Sequence, residues 1–154
     1  MEENFLISIL GKQMVDGKKG EIELTTRGSY VDKGHCRYIS YREYDEDNPH
    51  AKILSSLKVE GDNKVTLIRT GSLNSRLVLE KGQRHLCHYD TGYGSMMVGV
   101  FASNIINNLT DNGGSLEISY SLDINAGLTS MNQIFINVKE AEQNDVKTSN
   151  TDRQ

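Results

Sequence analysis

The chain has no tryptophan, three phenylalanines and one proline among its 154 residues. Only 36% of the residues are hydrophobic, a fraction better suited to a thin-walled β-structure or a polar interior than to a dense helical globule. The single proline, Pro49, falls in a polar loop, where its missing N–H removes no ladder hydrogen bond. A chain of this length forms one domain and is long enough to bury a core.

Other features are scarce, and each absence excludes a class of protein. Two cysteines, Cys36 and Cys87, make no disulfide framework and are compatible with a reducing cytosol. No apolar run approaches the roughly 20 residues of a membrane span, and the first residues lack the pattern of an export signal. The net charge is −4, and Lys18–Lys19 is the one adjacent basic pair. We therefore expect a cytoplasmic protein that binds neither nucleic acid nor membrane.

The pattern that is present has a period of two residues. Residues 115–122 alternate polar and large apolar or aromatic side chains, which is typical of an antiparallel strand with one buried face. About ten strands are predicted, separated by Asp, Asn and Gly turns that are too short for parallel crossovers. They cover residues 5–14, 20–31, 36–44, 51–60, 64–70, 75–80, 85–91, 95–105, 115–123 and 128–139.

One segment, 96–109, is a candidate helix because its apolar residues crowd at mixed spacing. The favoured interpretation is a long strand that bends near Gly99 or at Ser103–Asn104. Consecutive antiparallel strands leave two exposed edges unless the sheet closes. The predicted fold is therefore all-β: a closed antiparallel up-and-down barrel of about 8–10 strands. Residues 1–140 form this single domain, and 141–154, which lack Leu, Ile, Phe, Tyr and Met, are predicted to be a disordered tail.

The order of five motifs resembles a known family. The motifs are YREY (41–44), VTLIRTG (65–71), HYDTGYG (88–94), LEISYSLDINAG (116–127) and SMNQIFINV (130–138). In this order and spacing, over roughly residues 3–140, the chain resembles the YwiB-like proteins of Firmicutes. That resemblance implies a cytoplasmic calycin-like (lipocalin-type) barrel, with no catalytic activity or ligand attached to it. The family pattern falls here on Tyr41, Glu43, Arg69, Gly71, Tyr89, Thr91, Tyr93, Gly94, Tyr120 and Asn132.

The stretch HLCHYDTGYGS, 85–95, suggests three kinds of chemistry: an aspartic protease, a Cys–His nucleophile and a zinc site. The strand pattern of the stretch is explained without any of them. Asp90-Thr91-Gly92 matches the aspartic protease triplet, but that reaction needs two carboxylates and the chain has one such triplet. Cys87 and His88 are neighbours on opposite faces of a strand, so they do not form a nucleophile–base pair. We interpret the triplet as the end of a strand and the start of a turn.

A zinc site is the third chemistry. His35, Cys36, His85 and Cys87 are acceptable ligand types, but they lack the usual zinc spacings, and alternation lets only one of each neighbouring pair reach a common metal. The sequence leaves open whether these four side chains meet. No catalytic residue, metal ligand or cofactor is predicted.

The remaining constellation is polar and lies in phase with apolar residues. Arg69 shares its strand face with Val65 and Leu67, and Tyr120 shares its face with Leu116 and Ile118. Tyr89 and Thr91 likewise share a strand face with Cys87. A buried charge must be paired, which leaves two interpretations. Either Arg69 pairs with Glu43 and the network fills the interior, or Arg69 is partly unpaired at the barrel mouth and awaits an anionic group.

We expect a binding module that holds a small anionic or amphipathic ligand. The predicted ligand-binding residues are Tyr41, Glu43, Arg69, Tyr89, Thr91, Tyr93, Tyr120 and Asn132. The alternatives are a structural or interaction protein with a plugged barrel, or an enzyme that uses Glu43 and Tyr89 as acid–base groups. The expected partner is a small molecule, and the chain is expected to be a monomer or a homodimer.

Overall fold

The structure of the protein, a computed structural model, describes residues 2–44, 52–72, 74–90, 94–125 and 127–141. Within these ranges the chain forms ten β-strands and no helix. The strands are β1 (Phe5–Val15), β2 (Lys18–Asp32), β3 (Arg37–Tyr44), β4 (Lys52–Glu60), β5 (Lys64–Gly71), β6 (Ser75–Glu80), β7 (Arg84–Asp90), β8 (Ser95–Thr110), β9 (Gly113–Ile124) and β10 (Gly127–Glu140).

Each strand pairs antiparallel with the next one along the chain, and β1 also pairs with β10, so the sheet closes into a barrel. This confirms the predicted closed all-β barrel. No helix among the described residues is both long and apolar enough to cross a membrane. The predicted tail, apart from Ala141, lies outside the described residues.

The segment that was a candidate helix is part of one strand of 16 residues, β8. Its pairing with β9 shifts register between Ala102 and Asn104, which leaves Ser103 as the extra residue of a β-bulge. Bulges bend a strand and increase its twist. The preference for a strand interrupted near Ser103–Asn104 is therefore confirmed, and the mixed apolar spacing has a physical cause. Inward positions are even before the bulge and odd after it, as buried Val98 and Ile105 show.

The core fills the end of the barrel at which the even-numbered strands finish, which we call the floor. Tyr30 packs edge-on against Phe5, with ring centroids 5.4 Å apart, and its hydroxyl donates to the carbonyl of Thr110. Arg37 Nη1 donates to the carbonyl of Leu109 at 3.0 Å. Above this floor lies a layer of fully buried aliphatic side chains, which includes Ile7, Ile39, Val59, Val65, Leu79, Leu116, Ile118 and Val138.

The opposite end, at which the odd-numbered strands finish, is the mouth. There the barrel wall is not continuous. Strand β2 pairs with β3 only from Gly28 to Asp32, opposite Arg37–Tyr41. Beyond the Gly28–Tyr41 pair, residues 18–27 of β2 pair only with β1, and residues 42–44 of β3 pair only with β4. The described strands thus leave a gap between β2 and β3 on the mouth side, which we call the β2–β3 gap.

Candidate functional site

The site begins with one row of side chains across three strands. Tyr41 on β3 lies opposite Ser55 on β4, and Ser55 lies opposite Arg69 on β5. Directly opposed residues of a sheet share a face, so all three point into the barrel. Ser55 is small and fully buried. Its size leaves room for the Arg69 side chain to extend over β4 toward β3.

Arg69 meets a carboxylate on β3. Its Nε lies 3.5 Å from Glu43 Oε2, and both side chains are only partly exposed. The hydroxyl of Ser55 donates a short hydrogen bond to the same carboxylate oxygen. The Arg69 Nε–H is buried and makes no hydrogen bond to any described group. Arg69 is thus paired in charge with Glu43 while its Nε–H forms no hydrogen bond, which combines features of both interpretations of the sequence.

These groups border a cavity of about 470 Å³ at the mouth. Small-molecule sites typically occupy roughly 300–1,000 Å³. The apolar part of the lining comes from Ile9, Ile22, Leu24, Leu57, Leu67, Ile134 and Ile136, and the polar part includes Tyr41, Glu43, Arg69, Tyr120 and Asn132. Leu67 precedes Arg69 by one inward position on β5, and Leu57, its partner on β4, follows Ser55 by one inward position. Both leucines therefore lie closer to the floor than Arg69 does. The cavity therefore has an apolar bottom and a charged upper wall.

Two tyrosines of the wall are held in the neutral form. Burial raises the pKa of Tyr41 to about 12, and the nearby negative charge of Glu43 adds to this effect. Burial also raises the pKa of Tyr120 to about 12, although the positive charge of Arg69 opposes it. Both phenols therefore remain hydrogen-bond donors at every physiological pH.

We predict that these two phenols titrate in a late phase, near their raised pKa of about 12. A raised pKa in the folded state means that stability is fully present below the unfolded value of 10.0 and is lost as pH rises toward about 12. Since the chain has no tryptophan, an ultraviolet titration reports its seven tyrosines alone. A Tyr41→Phe/Tyr120→Phe variant should lose the late phase of that titration and part of the alkaline loss of stability. A late phase of unchanged amplitude in this variant would contradict the prediction.

The structure brings five of the eight predicted ligand-binding residues to this cavity: Tyr41, Glu43, Arg69, Tyr120 and Asn132. Asn132 donates to Ser130 Oγ at 2.9 Å. Tyr89 packs against the core, and its charge would raise the pKa of Tyr120, but it is not part of the cavity lining. Thr91 and Tyr93 lie outside the described residues. The geometry does not place Glu43 and Tyr89 together on the cavity wall as an acid–base pair.

Comparison with known proteins places the chain in a family. The profile of the family described as "Domain of unknown function (DUF1934)" matches residues 7–136, most of the chain. The chain belongs to this family. A crystal structure of the ywiB protein from Bacillus subtilis matches with a TM-score of 0.78 and 20% identity, covering 90% of this chain and 92% of that one. The resemblance to YwiB-like proteins is thus confirmed, as is the shared fold. A search of curated proteins found no match.

The residues that look most reactive have structural partners in this DUF1934 chain. His85 Nε2 lies 2.8 Å from Glu80 Oε1, and Cys87 Sγ accepts a hydrogen bond from the backbone N–H of Val78 at 3.3 Å. Between the described parts of β6 and β7, only Arg76 and His88 form a backbone pair. The Cys87 sulfur therefore accepts a hydrogen bond that a backbone carbonyl would accept in a regular sheet. Within the described ranges, no three His, Cys, Asp or Glu side chains converge as a metal site.

Asp90, from the protease-like triplet, caps a strand end. Its backbone N–H donates to Ser75 Oγ at 3.2 Å, and its carboxylate accepts from the backbone N–H of Asn74 at 3.3 Å. These bonds join the ends of β6 and β7 at the mouth. Strand β7 therefore ends at the mouth, with Asp90 as its last residue.

Sequence reasoning missed two parts of the site. Ser55 was not singled out, although alternation with Leu57 and Val59 places it on the inner face. The contribution of β1 and β2 was also missed, because Gly11, Gln13, Gly20 and Ile22 carry no distinctive chemistry. They reach the cavity only because the barrel closes β1 onto β10.

A second concavity, of about 500 Å³, lies on the barrel wall near β1, β2, β8, β9 and β10. Among the described residues, the charged members of its lining are Glu23 and Glu117. The described part of this lining offers no cation to an anionic ligand, and it contains none of the predicted site residues. The mouth cavity, with its guanidinium and apolar bottom, is therefore the candidate functional site.

Proposed function

We propose that the barrel binds a small amphipathic anion in the mouth cavity, with the anionic group at Arg69. The observation that supports this most directly is the Arg69 Nε–H, which is buried at the site and has no hydrogen-bond acceptor among the described residues. An unsatisfied buried donor costs about 1–3 kcal/mol. A carboxylate or phosphate oxygen from a ligand would remove that cost and form a charge-assisted bond.

The rest of the ligand would be apolar. Leu57, Leu67 and Ile136 form the lower surface of the cavity, and each is already almost fully removed from water. An alkyl group placed on them would gain about 25 cal/mol for each Å² of apolar surface that it buries. Glu43 shapes the selection of the head group, because its negative charge repels a second anionic group while Arg69 attracts the first.

The direct test measures binding of decanoate, a simple amphipathic carboxylate, by titration calorimetry. Arg69→Met keeps an unbranched side chain as far as the Nε position but removes the guanidinium with its charge and donors. It should weaken binding by about 10- to 100-fold, as expected when a hydrogen bond to a charged group is lost. Arg76→Met is the matched control, since Arg76 is exposed on β6 and points away from the cavity. This control should bind like the wild type.

Two results would overturn the proposal. One is equal affinity of Arg69→Met and the wild type for decanoate. The other is the absence of both saturable binding and of any small-molecule adduct in native mass spectrometry of protein purified from its own host. That second result would favour the alternative in which the polar network simply fills the barrel.

A further inference from the structure

The β2–β3 gap exposes an unsatisfied strand edge. Residues 18–27 of β2 pair with β1 on one side and with no described strand on the other. In an antiparallel sheet, backbone N–H and C=O groups point alternately toward the two neighbours. The free side of β2 therefore carries a row of donors and acceptors with the spacing of a β-ladder, which is a template for another extended chain.

This edge is open to solvent and partly apolar. Residues 18–23 are all exposed. Ile22 lies on the inner face, in phase with Leu24. Its side chain is nevertheless 72% exposed, the highest value for a large hydrophobic residue in the described part of the chain. A large aliphatic residue on the inner face of a barrel is ordinarily covered. Here the missing neighbour strand leaves it uncovered.

The gap and the cavity are continuous. The cavity lining includes Gly20, Ile22 and Leu24 from β2, and Tyr41 and Glu43 from β3. A ligand in the cavity thus lies against the free edge of β2 on one side. On the other side it lies within reach of the Arg69 guanidinium, which extends over Ser55 toward β3.

We propose that the ligand is an extended polypeptide segment with a carboxylate, which pairs with the free edge of β2 and inserts into the β2–β3 gap. The carboxylate meets Arg69, and an apolar side chain of the segment covers Ile22 and enters the cavity. This inference rests on the proposed binding role of the cavity and names the class of its ligand. Addition of a strand to an exposed sheet edge, with alternate side chains in pockets, is an established mode of peptide recognition.

A second copy of this chain fits the edge less well. If β2 pairs antiparallel with β2 of a second copy along the whole free edge, the two-fold axis between the copies passes either through Ile22 or through Glu23. With the axis at Ile22, Glu21 of each copy lies opposite Glu23 of the other. With the axis at Glu23, the two Glu23 side chains lie opposite each other, and Lys19 of each copy lies opposite Arg27 of the other. Like charges directly opposite each other are destabilising. The charges of β2 therefore oppose self-pairing and leave the edge available to a different strand.

The experiment compares peptides with decanoate on the full-length protein by titration calorimetry. The probe is an acetylated hexapeptide of alternating threonine and valine with a free C-terminal carboxylate. One control peptide has alternate backbone amides N-methylated, which removes ladder donors and keeps the charge and side chains. A second control peptide ends in a carboxamide. N-methylation and the carboxamide should each weaken binding by about tenfold or more, as should Arg69→Met.

The outcomes separate the inference from the proposed function. If N-methylated and unmodified peptides bind equally, or if decanoate binds and the peptide does not, strand addition is wrong and the binding role of the cavity stands. If neither the peptide nor decanoate binds, both are wrong. If light scattering shows a dimer and the peptide neither binds to it nor dissociates it, the free edge does not accept a peptide strand and the inference is wrong.

Discussion

Replacement of Gly28 by alanine is expected to destabilise the barrel by about 3 kcal/mol, the upper part of the range for overpacking a tight site. Gly28 forms the last pair between β2 and β3 before the gap, opposite Tyr41. A β-carbon at this position would collide with the side chain of Ile7 and with the carbonyl oxygen of Ser40. The carbonyl belongs to the β3 backbone, so relief would require the two strands to separate.

The effect should be measurable as a change in thermal midpoint. For a domain of this size, about 3 kcal/mol corresponds to a decrease in Tm of about 6–12 °C. Gly20→Ala is the matched control, because Gly20 lies on the same strand and the same face, and a β-carbon there would meet no atom within 4 Å. The control should be neutral or slightly stabilising, since alanine restricts the unfolded chain. Equal midpoints for the two variants would show that the β2–β3 closure is not tight at Gly28.

The position of Gly28 also gives this variant a functional meaning. It sits where the continuous barrel ends and the β2–β3 gap begins. Strain at this point acts on the pair that fixes Tyr41, and Tyr41 is one wall of the cavity. We therefore expect the folded Gly28→Ala variant to bind decanoate more weakly than the wild-type protein.

Ile118→Ala is the second large effect, with an expected loss of about 4 kcal/mol in the free energy of unfolding, as for other fully buried isoleucines. Ile118 is fully buried on β9, opposite Ile105 on β8 and Ile134 on β10. Truncation would remove three carbon atoms from the buried aliphatic core. Because its neighbours are held in a paired sheet, they are unable to close the space.

Ile106→Ala provides the control for this prediction. Ile106 is also an isoleucine and lies on β8, the strand next to that of Ile118, but its side chain is 41% exposed and points outward. Its loss should change stability by less than about 1 kcal/mol, as for surface positions in general. Chemical denaturation with a common m-value would give both free energies. Similar losses for the two variants would mean that the inner and outer faces of β9 and β8 are assigned wrongly.

The strands were predictable because each carries its own alternation and ends in turn residues. Most predicted boundaries lie within two residues of the observed ones. The exception is β8, predicted to end at 105 and observed to continue to Thr110. There the bulge at Ser103 reverses which residues face inward, so a fixed period of two loses the pattern halfway along the strand.

The site was predictable only in part. Phase along a strand places Arg69 and Tyr120 on apolar faces, and the structure brings both to one cavity. Phase carries no information about the neighbouring strand, however, so it did not show that Ser55 lets Arg69 reach Glu43. It also did not show that Tyr89, although in phase with buried Cys87, lies outside the cavity lining. Those facts depend on register and on the height of each residue in the barrel.

The sequence by itself determined the all-β class, the number and order of the strands and their inward faces up to the bulge in β8, because alternation and short turns are local properties. It also indicated closure of the barrel, because closure removes the two exposed edges of an antiparallel sheet. The tertiary structure alone decided where the wall is incomplete. Pairing of β2 with β3 stops at Gly28, and no local pattern in β2 marks this point, since alternating residues continue on both sides of it. The free edge of β2 and the open side of the cavity follow from that interruption.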